Sequence, residues 1–145
     1  MAICRAKEKQ EREKDMTVKI INSSKIKNLG VYNQAIQVTG GSLLFLSGCV
    51  SVDSEGNLIG KGDPAEQMRQ TLTNIRTILE EAGAGLENVV KVTVFSADLN
   101  NRKAMNEVRL EMFGDHKPAS THVQVARLID PDWLVEVECV AALPE

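Results

Sequence analysis

Ser120 and His122 stand two residues apart, and Glu136 and Glu138 repeat that spacing further along the chain. On a strand, residues i and i+2 share a face, so each pair would point one way. A serine beside a histidine offers a nucleophile and a base when the two are within hydrogen-bond reach. Same-face neighbours on one strand stand about 6–7 Å apart at the backbone, and no Asp is placed by sequence to orient the imidazole. A structural pair is therefore the simpler reading of these two residues alone. Two carboxylates can divide acid and base work if a pocket shifts one of them. Taken alone, Glu136 and Glu138 are a solvated strand face. Tyr32, the one tyrosine, sits in GVYNQA between two strand candidates, a setting in which aromatic side chains often line pockets.

Other chemistries are poorly served. Cys4, Cys49 and Cys139 are odd in number, widely spaced and free of any CxxC, and only His116 and His122 could join them. This argues against a zinc site or a disulfide framework and for a reducing, cytoplasmic setting. Gly56 to Gly62 resembles a phosphate loop, but it is one residue short and has Gly62 where magnesium would need Ser or Thr. It is read as a plain loop.

The elements that must position these residues follow from patterning. With 145 residues the chain is expected to form one domain. Hydrophobic residues make up 43% and charged residues 26%, an ordinary globular balance. Aromatics at 3% and a net charge of −3 give nucleic acid neither stacking platforms nor a basic footprint. No run approaches the roughly 18 apolar residues of a membrane span. RAKEKQEREKD, residues 5–15, is charged throughout and has no apolar stripe. Residues 1–16 are read as a charged tail and 17–145 as the domain.

Residues 18–21 form a first strand candidate. Residues 35–48 read as a hairpin about Gly40-Gly41-Ser42. Asp63-Pro64-Ala65-Glu66 starts a helix, with Asp as cap and Pro in the first turn. Ala65, Met68, Leu72, Ile75, Leu79 and Ala82 continue it at helical spacing, and Gly83 and Gly85 end it. Residues 89–95 are β-branched and strand-like. Asn100 is a candidate cap for a second helix with the stripe Ala104, Met105, Val108 and Met112. Residues 119–128 and 134–143 complete the order β-β-β-α-β-α-β-β. This pattern predicts an α+β fold, one mixed sheet with two helices on one face. The other face would keep apolar positions in need of cover, which predicts a closed homo-oligomer.

Six segments together resemble the reactive intermediate deaminase family, also called the RidA or YjgF family. They are GVYNQAI, LFLSGCV, EQMRQTLTNI, EEAGAGLENVVKVTVFSADLNN, PASTHVQVARL and LVEVECVAAL, in the family's order. The resemblance implies a chorismate-mutase-like fold, a homotrimer and ligand clefts between subunits. It also implies cofactor-free hydrolysis of enamines and imines to 2-oxo acids and ammonia. The family's loop tyrosine falls on Tyr32, and its SGQ glycine on Gly48, followed here by Cys49. Its site glutamate, which helps position water, falls on Glu136. The arginine that pairs with the substrate carboxylate is replaced by Ser120, and the family's nearby cysteine by His122. Arg127 follows seven residues on, but the family often has an arginine there too, in its ARLP segment, so it is not read as a substitute.

A serine offers one neutral donor where a guanidinium would fork onto the carboxylate. The expected function is therefore an inter-subunit small-molecule pocket acting on an imine or enamine. Activity on the usual 2-imino acids is expected to be weak or absent. Ser120, His122 and Glu136 would be its reactive residues, and Tyr32, Gly48 and Cys49 its substrate contacts. The alternative is a non-catalytic, metabolite-binding or chaperone-like trimer.

The charge pattern of the tail yields a test. Deleting residues 1–15 is expected to leave the melting temperature and assembly mass unchanged, as read by differential scanning fluorimetry and light scattering.

Overall fold

The structure, a computed structural model, describes residues 16–145; the charged tail lies outside the described residues except for Met16. The elements are β1 (Thr17–Ile21), β2 (Ala35–Thr39), β3 (Ser42–Cys49), α1 (Pro64–Glu81), β4 (Val89–Ser96), α2 (Arg102–Phe113), β5 (Ala119–Gln124) and β6 (Val135–Leu143). Their order is the expected one.

The strands divide differently from the expected single sheet. A four-stranded mixed sheet runs β3-β6-β4-β5, and β1 pairs with β2 in a separate antiparallel ribbon. Gly40 and Gly41 both take positive φ (73° and 69°), which glycine reaches without strain. The turn they make does not close a β2–β3 hairpin. β2 gives its hydrogen bonds to β1, and β3 gives its own to β6. β4 and β5 are parallel, so they need a crossover, and α2 supplies it.

Local chemistry sets the helices. Asp63 caps α1, its Oδ1 accepting from the backbone N–H of Ala65 and Glu66 at 3.0 Å each. Its buried stripe is Gln67, Met68, Thr71, Leu72, Ile75 and Leu79. The start of α2 differs from the expected cap at Asn100. Asp98 accepts from the Asn100 N–H at 2.8 Å, and a 3-10 turn, Leu99–Asn101, leads into the helix. β5 ends at Gln124, short of the expected residue 128.

Both helices belong to one core. Val92 and Val94 of β4 pair with Cys139 and Val137 of β6, and all four are buried with Met68, Leu72, Ile75, Met105 and Val108. Each such side chain contributes about 1.5–3 kcal/mol when withdrawn from water. Alternation sends Lys91, Thr93, Phe95, Glu136, Glu138 and Val140 to the other face. On that face Leu43 is 54% exposed and Phe45 72% exposed.

One buried polar side chain ties α1 to the start of β6. Gln67 accepts from the Leu134 N–H at 2.8 Å and donates to the carbonyls of Asp132 (3.0 Å) and Gly60 (3.1 Å). Gln67→Leu would orphan three backbone groups, each worth about 1–3 kcal/mol when buried unpaired. The variant is expected to lose about 2–4 kcal/mol of stability in urea unfolding.

Candidate functional site: a cationic pocket beside β5

Ser120 and His122 lie opposite Val92 and Val94 in the parallel β4–β5 pair. Those valines face the helices, so Ser120 and His122 project to the same side, as their spacing predicted. They make no hydrogen bond to each other. Ser120 Oγ instead accepts from Arg109 Nη2 of α2 at 2.8 Å. Arg109 Nη1 donates to Asn106 Oδ1 at 3.2 Å.

The loop between β1 and β2 closes the third side. Asn33 anchors it to the entry of β5, its Nδ2 donating to the Lys117 carbonyl at 2.6 Å. Asn28 Nδ2 donates to the Tyr32 carbonyl at 2.7 Å. The Leu29 N–H reaches the Tyr32 hydroxyl at 3.4 Å. Tyr32, Arg102, Arg109, His116, Ser120 and His122 thereby surround a cavity of about 260 Å³. Leu29, Val31, Leu110 and Phe113 supply its apolar wall.

The cavity's electrostatics are one-sided. Among the described residues no Asp or Glu lines it. The two acids of α2 are engaged elsewhere. Glu111 forks onto Arg69 at 2.7 and 2.8 Å, and Glu107 lies 3.9 Å from Lys103. Burial, and then the charge of Arg102, pulls the Arg109 guanidinium down to about 10, still charged at neutral pH. Burial, followed by Arg109 and Arg102, lowers His122 to about 4. His122 is thus a neutral imidazole at pH 7, with one donor and one acceptor. Among the described residues neither of its ring nitrogens has a partner, and neither does Arg109 Nε.

Glu136 and Gly48 meet on the opposite side of the sheet. The β3–β6 register shifts between Leu46 and Cys49, which brings the Gly48 backbone against Glu136. A Cβ on Gly48 would overlap the Glu136 carboxylate. Glycine leaves room for this close approach, and any larger residue would make the Glu136 side chain move. Cys49 turns away from Glu136 and packs against the core, its thiol donating to the Ser47 carbonyl at 3.6 Å. Burial, then the Glu136 charge, raises its pKa, so it is a protonated thiol. One chain thus gathers Tyr32, Ser120 and His122 in one place and Gly48 and Glu136 in another. Arg127 is exposed and lines neither place.

Sequence reasoning missed Arg102 and Arg109. Arg102, Asn106 and Arg109 recur at i, i+4 and i+7, the spacing of a single helix face. That face borders the apolar stripe of α2 and reads as solvated until β5 and the Tyr32 loop are placed against it.

A two-layer α+β protein, with its pocket wedged between an edge strand, a helix and an ordered loop, is the class this arrangement defines. The model of the family described as Endoribonuclease L-PSP matches residues 22–143. A RutC family protein of Pyrococcus abyssi is 49% identical over 115 residues, covering 79% of this chain and 88% of the relative. Protein mmf2 of Schizosaccharomyces pombe, designated mitochondrial, is 42% identical over 124 residues, covering 84% and 95%. A crystal structure of a Rid-family protein of unknown function from Yersinia pestis matches with TM-score 0.80 and 26% identity, covering 88% of this chain and all of that one. The chain belongs to the RidA/YjgF family, the family its six segments resembled.

The depressed His122 predicts a pH dependence. An unfolded imidazole titrates near 6.5 and the folded one at about 4. Between those values the unfolded chain binds more protons, so stability rises with pH through this window. The melting temperature is expected to fall as pH drops from about 6.5 towards about 4. His122→Gln should flatten that part of the profile in scanning calorimetry.

Proposed function

We propose that the chain is a homotrimeric Rid-type protein that hydrolyses an imine or enamine to a carbonyl product and ammonia. The observation that carries this is the gathering of Tyr32, Ser120 and His122 about one cavity in a RidA-family chain. Glu136 lies on the bare sheet face, away from that cavity. It can serve the same ligand only when a second subunit packs its bare face beside the first subunit's β5. The exposure of Leu43, Phe45 and Val123 on that face supports such packing, since large apolar patches on single chains usually mark interfaces.

In this reading Tyr32 and neutral His122 orient the substrate, and a neighbouring subunit's Glu136 takes a proton from the attacking water. Water adds to the imine carbon, the proton passes to nitrogen, and ammonia leaves. Neither metal nor organic cofactor has a part in it. The reading keeps the chain in a reducing compartment. The cytoplasmic expectation stays a proposal, because the fission-yeast relative is designated mitochondrial.

A second reading, metabolite binding without turnover, uses the same cavity and differs only in the absence of chemistry. The endoribonuclease description attached to the family model is not adopted, because a 3% aromatic content and a net charge of −3 do not suit RNA.

Two measurements test the proposal. Light scattering should give a mass near three times 15.9 kDa. Imines generated in place by a pyridoxal dehydratase or an amino-acid oxidase should release ammonia faster with the protein than without it. Small 2-imino acids should be poor substrates, because Ser120 is not an arginine. Glu136→Gln should lower the rate by about 10²-fold or more, as expected for loss of a general base. A monomer at micromolar concentration, or no acceleration with any aliphatic or aromatic imine, overturns the catalytic reading.

A further inference from the structure

We infer that Arg109, fixed by Ser120 and Asn106, is an anion anchor that seats the carboxylate of a ligand whose apolar substituent packs on Val31, Leu110 and Phe113. This inference deepens the proposed pocket by naming the chemistry of its occupant.

Four observations converge on it. First, of the four buried side-chain polar atoms without a partner among the described residues, three belong to Arg109 and His122. Buried donors of this kind ordinarily find an acceptor, and each specific exception calls for one. Second, the guanidinium has its fork in hand. Nη1 is committed to Asn106, and one N–H of Nη2 to Ser120. Among the described residues Nε has no partner, so a donor of this guanidinium is left for an anion's oxygen. Third, Arg102 stands two turns before Arg109 on the same face, and among the described residues no carboxylate lines the cavity to neutralise either one. Fourth, one wall is apolar. A cavity of about 260 Å³ is larger than a three- or four-carbon acid fills, and Leu29, Val31, Leu110 and Phe113 would be left against water by so small a ligand.

The anchor therefore differs from an arginine on β5 in origin and in reach. Its cation comes from α2, and Ser120 serves as the brace that aims it. An anion held there sits nearer the helix than one held by a strand arginine would. Small 2-imino acids then keep the attraction but lose the alignment of the imine carbon, whereas a larger substituent restores the fit. The pairing also accounts for the serine, since an arginine at position 120 would set a second guanidinium against the first.

The experiment is calorimetric titration of the full-length protein with 3-phenyl-2-oxopropanoate, its neutral analogue 1-phenylpropan-2-one, and pyruvate. The wild type is expected to bind the aryl acid about tenfold or more tightly than either comparison ligand. Arg109→Gln should weaken the aryl acid by about tenfold or more and leave the neutral ketone unchanged. The exchange variant Arg109→Ser with Ser120→Arg should recover most of the lost affinity and shift preference towards pyruvate. Unchanged circular dichroism and assembly mass would exclude misfolding, and the exchange variant supplies a second test should Arg109→Gln fail to fold. Equal binding of acid and ketone, no binding of the acid, or full affinity in Arg109→Gln overturns the anchor. Ammonia release is read separately. Binding without turnover leaves the anchor standing and removes the deaminase reading. Turnover unaffected by Arg109→Gln does the reverse.

Discussion

The pairing of β6 between β3 and β4 is the constraint on which the β5 cavity and the Gly48–Glu136 contact both depend. Side chains alternate along β6, so its register with β4 decides which residues meet the helices. In the observed register Val135, Val137, Cys139 and Ala141 enter the core, and Glu136 faces outwards beside Gly48. A slip of one residue would bury Glu136 and Glu138 under α1 without partners, which no hydrophobic gain could offset. Gln67 fixes the entry to this strand, because it accepts from Leu134 immediately before β6 begins. The β4–β5 pair inherits the same frame. With Val92 and Val94 directed inwards, Ser120 and His122 have no choice of side.

Much of this was legible in the residues. The capped start of α1, the β-branched β4 and the alternation of β6 all carry period and end signals of their own, and they appear at the expected places. What failed was tertiary. The Gly40-Gly41 dipeptide specifies a turn but does not say which strand will accept the hydrogen bonds that follow, and β1 competed successfully for β2. Asn100 is a competent cap by type, but Asp98 lies two residues earlier and reaches the Asn100 N–H first. Such contests are decided by geometry among neighbours of equal propensity.

The site was legible only in part, for a related reason. Tyr32, Ser120 and His122 lie on segments far apart in sequence, and resemblance to a family brought them together before the fold did. Arg109 had no such help. It belongs to no motif, and an arginine on an amphipathic helix is usually solvent-facing. Its role depends on where Glu107 and Glu111 go, and both turn to other cations. Only when those acids are removed from consideration does the pocket become a place with cations and, among the described residues, no counterion.

The two faces of the sheet now divide the chemistry between them. Donors that could hold an anion are gathered on the helix side of β5. The carboxylate that could accept a proton from water sits on the bare side of β6, two strands away in the order β6-β4-β5. Adjacent strands are about 4.8 Å apart, and the two groups also project in opposite directions. No rotamer of Glu136 spans that gap through a packed sheet. The separation itself has chemical value. A carboxylate free to enter its own cavity would pair with Arg109 and silence the anchor, as Glu111 silences Arg69. By keeping them on opposite faces, a single chain holds Arg109 and Glu136 apart, so that neither pairs with the other. In the proposed trimer the two would meet over a ligand only across a boundary between subunits, and assembly and completion of the site would then be one event.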